Sequence, residues 1–440
     1  RETATSLEGE HLRRCLLLPV EDFADCLGRG IEILSGVTLH GPAELPFVDA
    51  TRGRELLLAC RVRADRGAVS GLTVAVQGGA EAEPVSLSLG EEQEVVMPAS
   101  MPEQAPWGWQ DVLVEGVFTQ NGQLLWLPRR ITARLHPVAE VQGAMPISPV
   151  RRSLSLSLQS WLPGAEIKLT AQARVDEREI PFEPVTAKAA VVPGAVQQVE
   201  LPLPSAFAAA IPELLRAGGK AVVLWRAETT DGGGVEGTIE VPLVAGAACP
   251  RLAAAPRVDG RVEAEEADGE WAGAARLEPF LGAADGKPAA RPTAVLAGHD
   301  GANLYLAFLC WGQTEPQATH SGQDVPVWED DSVEVFLQPP GSTAYYHLAV
   351  NAAGARYDAR CQLGLDPSWE GQWQAASGRM DGGWVVEMAV PLKAVGGTAS
   401  GIWRANFGRE EADTGAATCW SPTLGGFHTP ARFGELSLGQ

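Results

Sequence analysis

Period-two alternation recurs along this chain. From residue 167 to 174, Ile167, Leu169, Ala171 and Ala173 alternate with Lys168, Thr170, Gln172 and Arg174, the pattern of a strand with one wet face. Apolar, β-prone runs recur towards the C-terminus (NLYLAFLCW, SVEVFLQ, AYYHLAVN, WVVEMAVP, WRANFGR, FGELSL), separated by turns. One stretch reads as helical, AFAAAIPELLRAGG over 206–219, and Pro212 limits it to a short piece. With 49 Gly and 32 Pro in 440 residues, many short elements joined by tight turns are expected, and the fold class is all-β.

Turn residues also disclose a repeat in the N-terminal half. Gly53 in TRGRELLLACRVRAD aligns with Gly164 in LPGAEIKLTAQARVD at an offset of 111, Gly122 with Gly232 at 110, and Pro98 with Pro202 at 104. Units of about 100 residues have the size of immunoglobulin-like sandwiches. Asn121-Gly122 and Asp231-Gly232 lie between β-rich runs and supply the positive φ that hairpins need. The expected organisation is multi-domain: a leader or linker segment over 1–30, an immunoglobulin-like β-sandwich over 31–142 and a second over 143–247. Small residues and Pro in GAACPRLAAAP (246–256) mark a boundary, and a larger sandwich-like domain fills 251–440. That last region holds all four Tyr and eight of the 13 Trp, which makes it the expected binding region.

Charge narrows the function. The formal net charge is −21, from 34 Lys and Arg against 55 Asp and Glu, so nucleic acid and anionic membrane surfaces are poor partners. There is no apolar run of about 18 residues, hence no transmembrane segment of the helical kind. A chain beginning at Arg1 reads as a processed or excised piece of something longer. Seven Cys without a C-x-x-C pair form neither a disulfide framework nor a zinc site, and Cys60 and Cys310 sit in apolar runs as small hydrophobes. GGGVEG at 232–237 matches a dinucleotide fingerprint formally, but it joins two strands and reads as a hairpin loop. Zincin, P-loop and nucleophile-elbow motifs are missing, so no catalytic residue is assigned and the chain is read as a non-enzyme. Whether a catalytic domain lies upstream stays open.

The segment PVWEDDSVEVFLQP (326–339) carries the most chemistry. On a strand, Val333, Val335 and Leu337 form an apolar face, while Ser332, Glu334 and Phe336 take the other, with Trp328 entering just before. A carboxylate beside an indole suits a sugar, whose C–H faces stack on aromatic rings while its hydroxyls need polar partners. A solvated edge with a core Trp fits the spacing equally well.

From Pro256 onward the chain resembles the family 9 carbohydrate-binding modules. The likeness rests on Val258-Asp259-Gly260 and Trp271, His299-Asp300 before Asn303-Leu304-Tyr305, and Trp328 to Phe336. It continues through Tyr346 to Asn351 with Gly354, Trp384 to Pro391, Asn406 to Arg409, Trp420-Ser421 and Phe433-Gly434. In this family two aromatic rings sandwich a sugar, and a carboxylate, an Arg and amides bind its hydroxyls. The resemblance therefore implies Trp328 and Phe427 as rings, Glu334 as carboxylate, His347 in place of the family's Arg and Asn351 as amide; Arg409, on the strand read as NFGR, either restores the missing guanidinium or forms a surface salt bridge. Phe427 stands where the family has Trp, with less stacking area and no N–H. No cofactor is implied; structural calcium at Glu329, Asp330 and Asp331 is one reading of that acid cluster and a solvated turn the other.

The resulting expectation is a secreted or cell-surface binder of a polysaccharide or oligosaccharide, with an accessory part of a larger glycoside hydrolase as one setting for it. Two alternatives remain: a structural cell-surface or assembly protein with a degenerate sugar site, and a haem-binding redox module using Met380 or Met388.

Overall fold

The computed structural model describes residues 27, 29–32, 35–40, 47–51, 55–76, 81–100, 108–151, 153–161, 166–175, 184–190, 192, 194–216, 221–229, 234–262 and 269–439. The expected leader segment falls outside them apart from residues 27, 29 and 30, as do Cys15, Cys26, Gly53, Gly164 and the Asp231-Gly232 turn.

The N-terminal sandwich contains β1 (Val37–His40), β2 (Phe47–Thr51), β3 (Glu55–Ala64), β4 (Val69–Val76), β5 (Val85–Leu87), β6 (Glu92–Ser100), β7 (Gly108–Gln120) and β8 (Gln123–His136). One sheet has the order β1-β3-β6 and the other β2-β8-β7-β4-β5. Cys60, Leu58, Val62, Met97, Phe118 and Leu127 meet between them. Asn121 and Gly122, at φ of 51° and 75°, close the β7–β8 hairpin, the backbone that this dipeptide favours.

The second sandwich contains β9 (Ala139–Ala144), β10 (Ser153–Ser160), β11 (Glu166–Val175), β12 (Val185–Ala190), β13 (Val196–Pro202), a helix α1 (Ser205–Arg216), β14 (Ala221–Thr229) and β15 (Gly234–Val241). Its sheets are β13-β10-β9 and β12-β11-β14-β15. Ile167, Leu169, Ala171 and Ala173 all point into the core, as the alternation requires. The helix continues through Pro212, because Phe207, Ile211 and Leu214 bury one stripe of it against the sandwich and outweigh one lost backbone bond.

The two sandwiches repeat one topology. β1, β3 and β6 correspond to β9, β10 and β13, and β5, β4, β7 and β8 to β12, β11, β14 and β15. The Pro98/Pro202 offset joins equivalent strands, β6 and β13. The Gly53/Gly164 alignment does not: it sets β3 against β11, which hold non-equivalent places in the two sandwiches, because similar alternating strands occur at both. β9 straddles the 142/143 boundary and hydrogen-bonds to β10, so it opens the second sandwich.

The C-terminal domain begins with β16 (Gly246–Cys249), β17 (Ala275–Leu277), β18 (Leu281–Gly282), β19 (Thr293–His299) and β20 (Asn303–Trp311). It continues with β21 (Ser332–Gln338), β22 (Tyr345–Asn351), β23 (Arg356–Cys361), β24 (Leu365–Asp366), β25 (Gln374–Met380) and β26 (Gly383–Pro391). β27 (Gly401–Glu411), β28 (Ala416–Cys419) and β29 (Gly434–Leu438) complete it. The larger sheet runs β16-β29-β27-β21-β22-β23-β24, with β28 paired to β27 and β18 to β28, and it faces the sheet β17-β19-β20-β26-β25. Val333, Val335 and Leu337 enter the shared core with Phe308, Trp384 and Trp403. The Val258-Asp259-Gly260 and Trp271 signature is a structural clasp. Buried Glu387 accepts from Trp271 Nε1 at 3.0 Å, and from the backbone N–H groups of Asp259 at 3.0 Å, Gly260 at 2.8 Å and Arg261 at 3.2 Å.

The second sandwich and the C-terminal domain are joined by specific contacts. Ser148 Oγ donates to Glu435 Oε2 at 2.6 Å, and Arg151 Nε donates to Glu435 Oε1 at 2.8 Å. Leu215 of α1 packs on the C-terminal core, and β16, leaving the second sandwich, pairs in parallel with β29.

Candidate functional site

The outer face of β21, β22, β23 and β27 builds the candidate site. Alternation sends Val333, Val335 and Leu337 inward and leaves Glu334 and Phe336 outside, opposite Ala349 and His347 on β22. This face is not a solvated edge: Glu334 is only 4% exposed, and His347 is buried beside it. Two loops cover it, the 3-10 turn Val327–Glu329 on one side and the segment around Phe427 on the other.

At its centre His347 Nε2 lies 2.7 Å from Glu334 Oε2. With the carboxylate ionised, Nε2–H is the donor. The imidazole also stacks on Phe336, centroids 4.5 Å apart and planes within 7°, and meets His428 edge-on at 4.9 Å. Its Nδ1 is buried with no hydrogen-bond partner among the described residues. His428 Nδ1 faces the Tyr345 hydroxyl at 2.8 Å. Burial, then the neighbouring His347, hold the His428 imidazole below its ordinary range. Burial, with the Glu334 charge adding to it, pushes the Glu410 carboxyl up to about 8.

Trp328 forms the open wall. It is 42% exposed and leans edge-on against Tyr357, ring centroids 5.0 Å apart. Phe427 is the closed wall: 7% exposed, it packs with Phe336 and Phe433 and lies so close over Gly408 that a Cβ there would come within 2.8 Å of its ring.

The remaining expected site residues lie elsewhere. Arg409 does not restore a guanidinium to this face. Gly408 and Glu410 take the outer positions of β27, so Arg409 is turned inward by alternation. There it is fully buried and donates to Pro292 O at 3.2 Å, Thr293 Oγ1 at 3.1 Å and Trp311 O at 3.1 Å, tying the two sheets together. Asn351 is consumed by a loop clasp: its Nδ2 donates to His320 O and Asp330 Oδ2, and its Oδ1 accepts from Ala353 N and Ala355 N.

The acid cluster does not fit a calcium cage. Asp330 accepts from Thr319 N and Oγ1, His320 N and Asn351 Nδ2, and Asp331 from Gln313 Nε2, Gln317 N and Ala412 N. Donors already surround those oxygens where a cation would sit. Glu329 is exposed and faces His320 Nε2 at 3.6 Å. Among the described residues no three His, Cys, Asp or Glu side chains are grouped to hold a metal ion. The haem alternative meets Met388 fully buried among core side chains and Met380 packed on a second apolar cluster, so both are packing groups.

Three contributors were not anticipated. Tyr357 and Glu410 sit at alternate positions on strands, and their face becomes visible only once the register is known. His428 follows Phe427 directly, so the ring assigned from the resemblance already pointed to its neighbour.

Residues 262–440 match a family model described as carbohydrate family 9 binding domain-like. No curated protein matches the chain. Among solved structures, a putative carbohydrate-binding protein from Bacteroides uniformis is 22% identical, with 44% of this chain and 100% of that one covered and a TM-score of 0.38. A family 9 carbohydrate-binding module from Caldicellulosiruptor kristjanssonii, in complex with cellotriose, is 18% identical, with 44% of this chain and 93% of that one covered and a TM-score of 0.33. Behind an all-β N-terminal half, the C-terminal domain of this chain is thus similar to the carbohydrate family 9 binding domains.

Proposed function

We propose that this protein is a non-catalytic carbohydrate binder whose C-terminal domain takes an oligosaccharide or a polysaccharide chain at the Trp328 face. One observation carries the reading: a half-exposed indole, braced by Tyr357, borders a buried carboxylate held by an imidazole, inside the region matched by the family model. The pyranose stacks on Trp328, and hydroxyls reach the Glu334 and His347 pair and the Glu410 carboxyl. No proton transfer is required. The two N-terminal sandwiches act as immunoglobulin-like spacers outside the cytoplasm.

A second reading is favoured by Phe427: a ring so deeply packed offers little face to a sugar, as expected of a structural module with a degenerate site. Titration with cello-oligosaccharides and xylo-oligosaccharides, with Trp328→Ala alongside, separates the two. Binding that is lost in the variant supports the first; the absence of binding to any glycan on an array supports the second.

A further inference from the structure

A polar pocket of about 110 Å³ opens on the inner side of the larger sheet, where residues 367–373 cross from β24 to β25 of the facing sheet. Asp324, Arg356, Asp358, Glu370 and Trp373 are among its walls. Asp358 pairs with Leu348 of the core, so alternation turns it away from the outer face that carries Trp328 and Glu334. The pocket is therefore separate from the sugar face, and its occupant need not be a glycan.

Asp358 is the built part. It is 6% exposed, and its Oδ2 is fixed by Trp373 Nε1 at 2.6 Å and Gly371 N at 3.1 Å. Only glycine fits at 371: a Cβ there would come within 2.6 Å of the Trp369 ring and 2.7 Å of the Trp373 ring. The other oxygen, Oδ1, is buried with no hydrogen-bond partner among the described residues. A buried carboxylate oxygen is expensive to leave without a donor, so this atom marks where a ligand donor belongs. Asp324 and Glu370 stand on the exposed rim. Burial pushes the Asp358 carboxyl up, and the Asp324 charge adds to the shift. Three carboxylates against one guanidinium favour a cation.

The walls select its kind. Arg356 donates to the Trp373 carbonyl at 3.3 Å and lies 5.4 Å from that ring's centroid, so the stacking face that a second guanidinium would use is taken. No three His, Cys, Asp or Glu side chains among the described residues are grouped for a metal ion. A primary ammonium carries three donors on one compact head, enough to meet Oδ1 and still turn to the rim carboxylates or water. We infer that this pocket binds a primary ammonium group, carried by a lysine side chain of a partner protein or by a free aliphatic amine.

Thermal melts of the full chain near neutral pH, at one ionic strength, test it with methylammonium, potassium and tetramethylammonium chloride. Methylammonium is expected to raise the transition of the C-terminal domain by about 2 °C over the other two salts. Asp358→Asn keeps an acceptor for Trp373, turns the partnerless oxygen into an NH2 donor, and should abolish the shift. Asp324→Asn, on the exposed rim, should reduce the shift while the melt without added amine stays as in the parent. Glu236→Gln, a charge change at a side chain 79% exposed on the second sandwich, leaves the shift intact. Equal shifts with methylammonium and potassium overturn the assignment, as does a shift that survives both pocket variants. A shift weakened as much by Glu236→Gln also overturns it, since the net charge of −21 would then account for the attraction. Nα-acetyl-lysine amide and putrescine separate the sources. A larger shift with the lysine derivative assigns the pocket to a partner's lysine, a larger one with putrescine to a free amine, and no shift with either overturns the proposal.

Discussion

Arg151, just before β10 of the second sandwich, grips Glu435 on β29 of the C-terminal domain with two nitrogens, Nε at 2.8 Å and Nη2 at 2.7 Å. Glu435 is fully buried, so this pair ties two domains into one unit. Removing one partner of a buried pair strands the other charge. Arg151→Ala is expected to destabilise the C-terminal domain by about 3 kcal/mol. In urea denaturation followed by tryptophan fluorescence, the second sandwich and the C-terminal domain should unfold together in the parent and separately in the variant. An unchanged midpoint would remove the pair from this role.

Trp328→Ala should separate binding from stability. The indole rests edge-on against Tyr357 and is 42% exposed rather than part of a core, so the melting temperature should move little. Loss of one stacking ring should weaken glycan affinity by roughly tenfold. Affinity electrophoresis in a gel containing soluble β-glucan reads the second effect and a thermal melt the first.

Glu410 gives stability a pH dependence. Its carboxyl is raised from 4.5 to about 8 in the folded protein by burial and the Glu334 charge. Between those values the folded state holds a proton that the unfolded chain has released. Stability is therefore full below about pH 4.5 and declines as pH rises towards about 8, by up to roughly 1.4 kcal/mol per pH unit. Urea midpoints across that window should fall for the parent, and Glu410→Gln should flatten the slope.

Glu387→Ala should unfold the entry to the C-terminal domain. Four donors converge on this carboxylate, from Trp271 and from residues 259–261. Leaving buried N–H groups unpaired should lower stability by about 3 kcal/mol. Hydrogen exchange at the amides of 259–261 should accelerate more than at β20, and equal acceleration at both would show a global effect instead.

The strands were legible because one-sided burial writes itself into alternation, as Ile167 to Ala173 and Val333 to Leu337 show. Depth was not. The face carrying Glu334 reads as open from its own strand, and it is closed by loops that come from distant sequence around residues 328 and 427. Arg409 illustrates the same gap. Its type suggested a ligand contact, while its parity on β27, fixed only by pairing with β21, placed it in the interior. Asn351 and Asp330 looked like separate site candidates and turned out to be bonded to each other at 2.8 Å.

β16 has a consequence for anyone cutting this chain apart. The punctuation of the sequence invites excision near Pro256, and the family match starts at residue 262, yet β16 ends at Cys249 and covers β29. A fragment begun at either point would turn β29 into a raw sheet edge and uncover the core around Cys249. Such an edge recruits a second copy. Self-association of the trimmed module would then be a product of the scissors, and the natural unit for ligand work begins before Ala245.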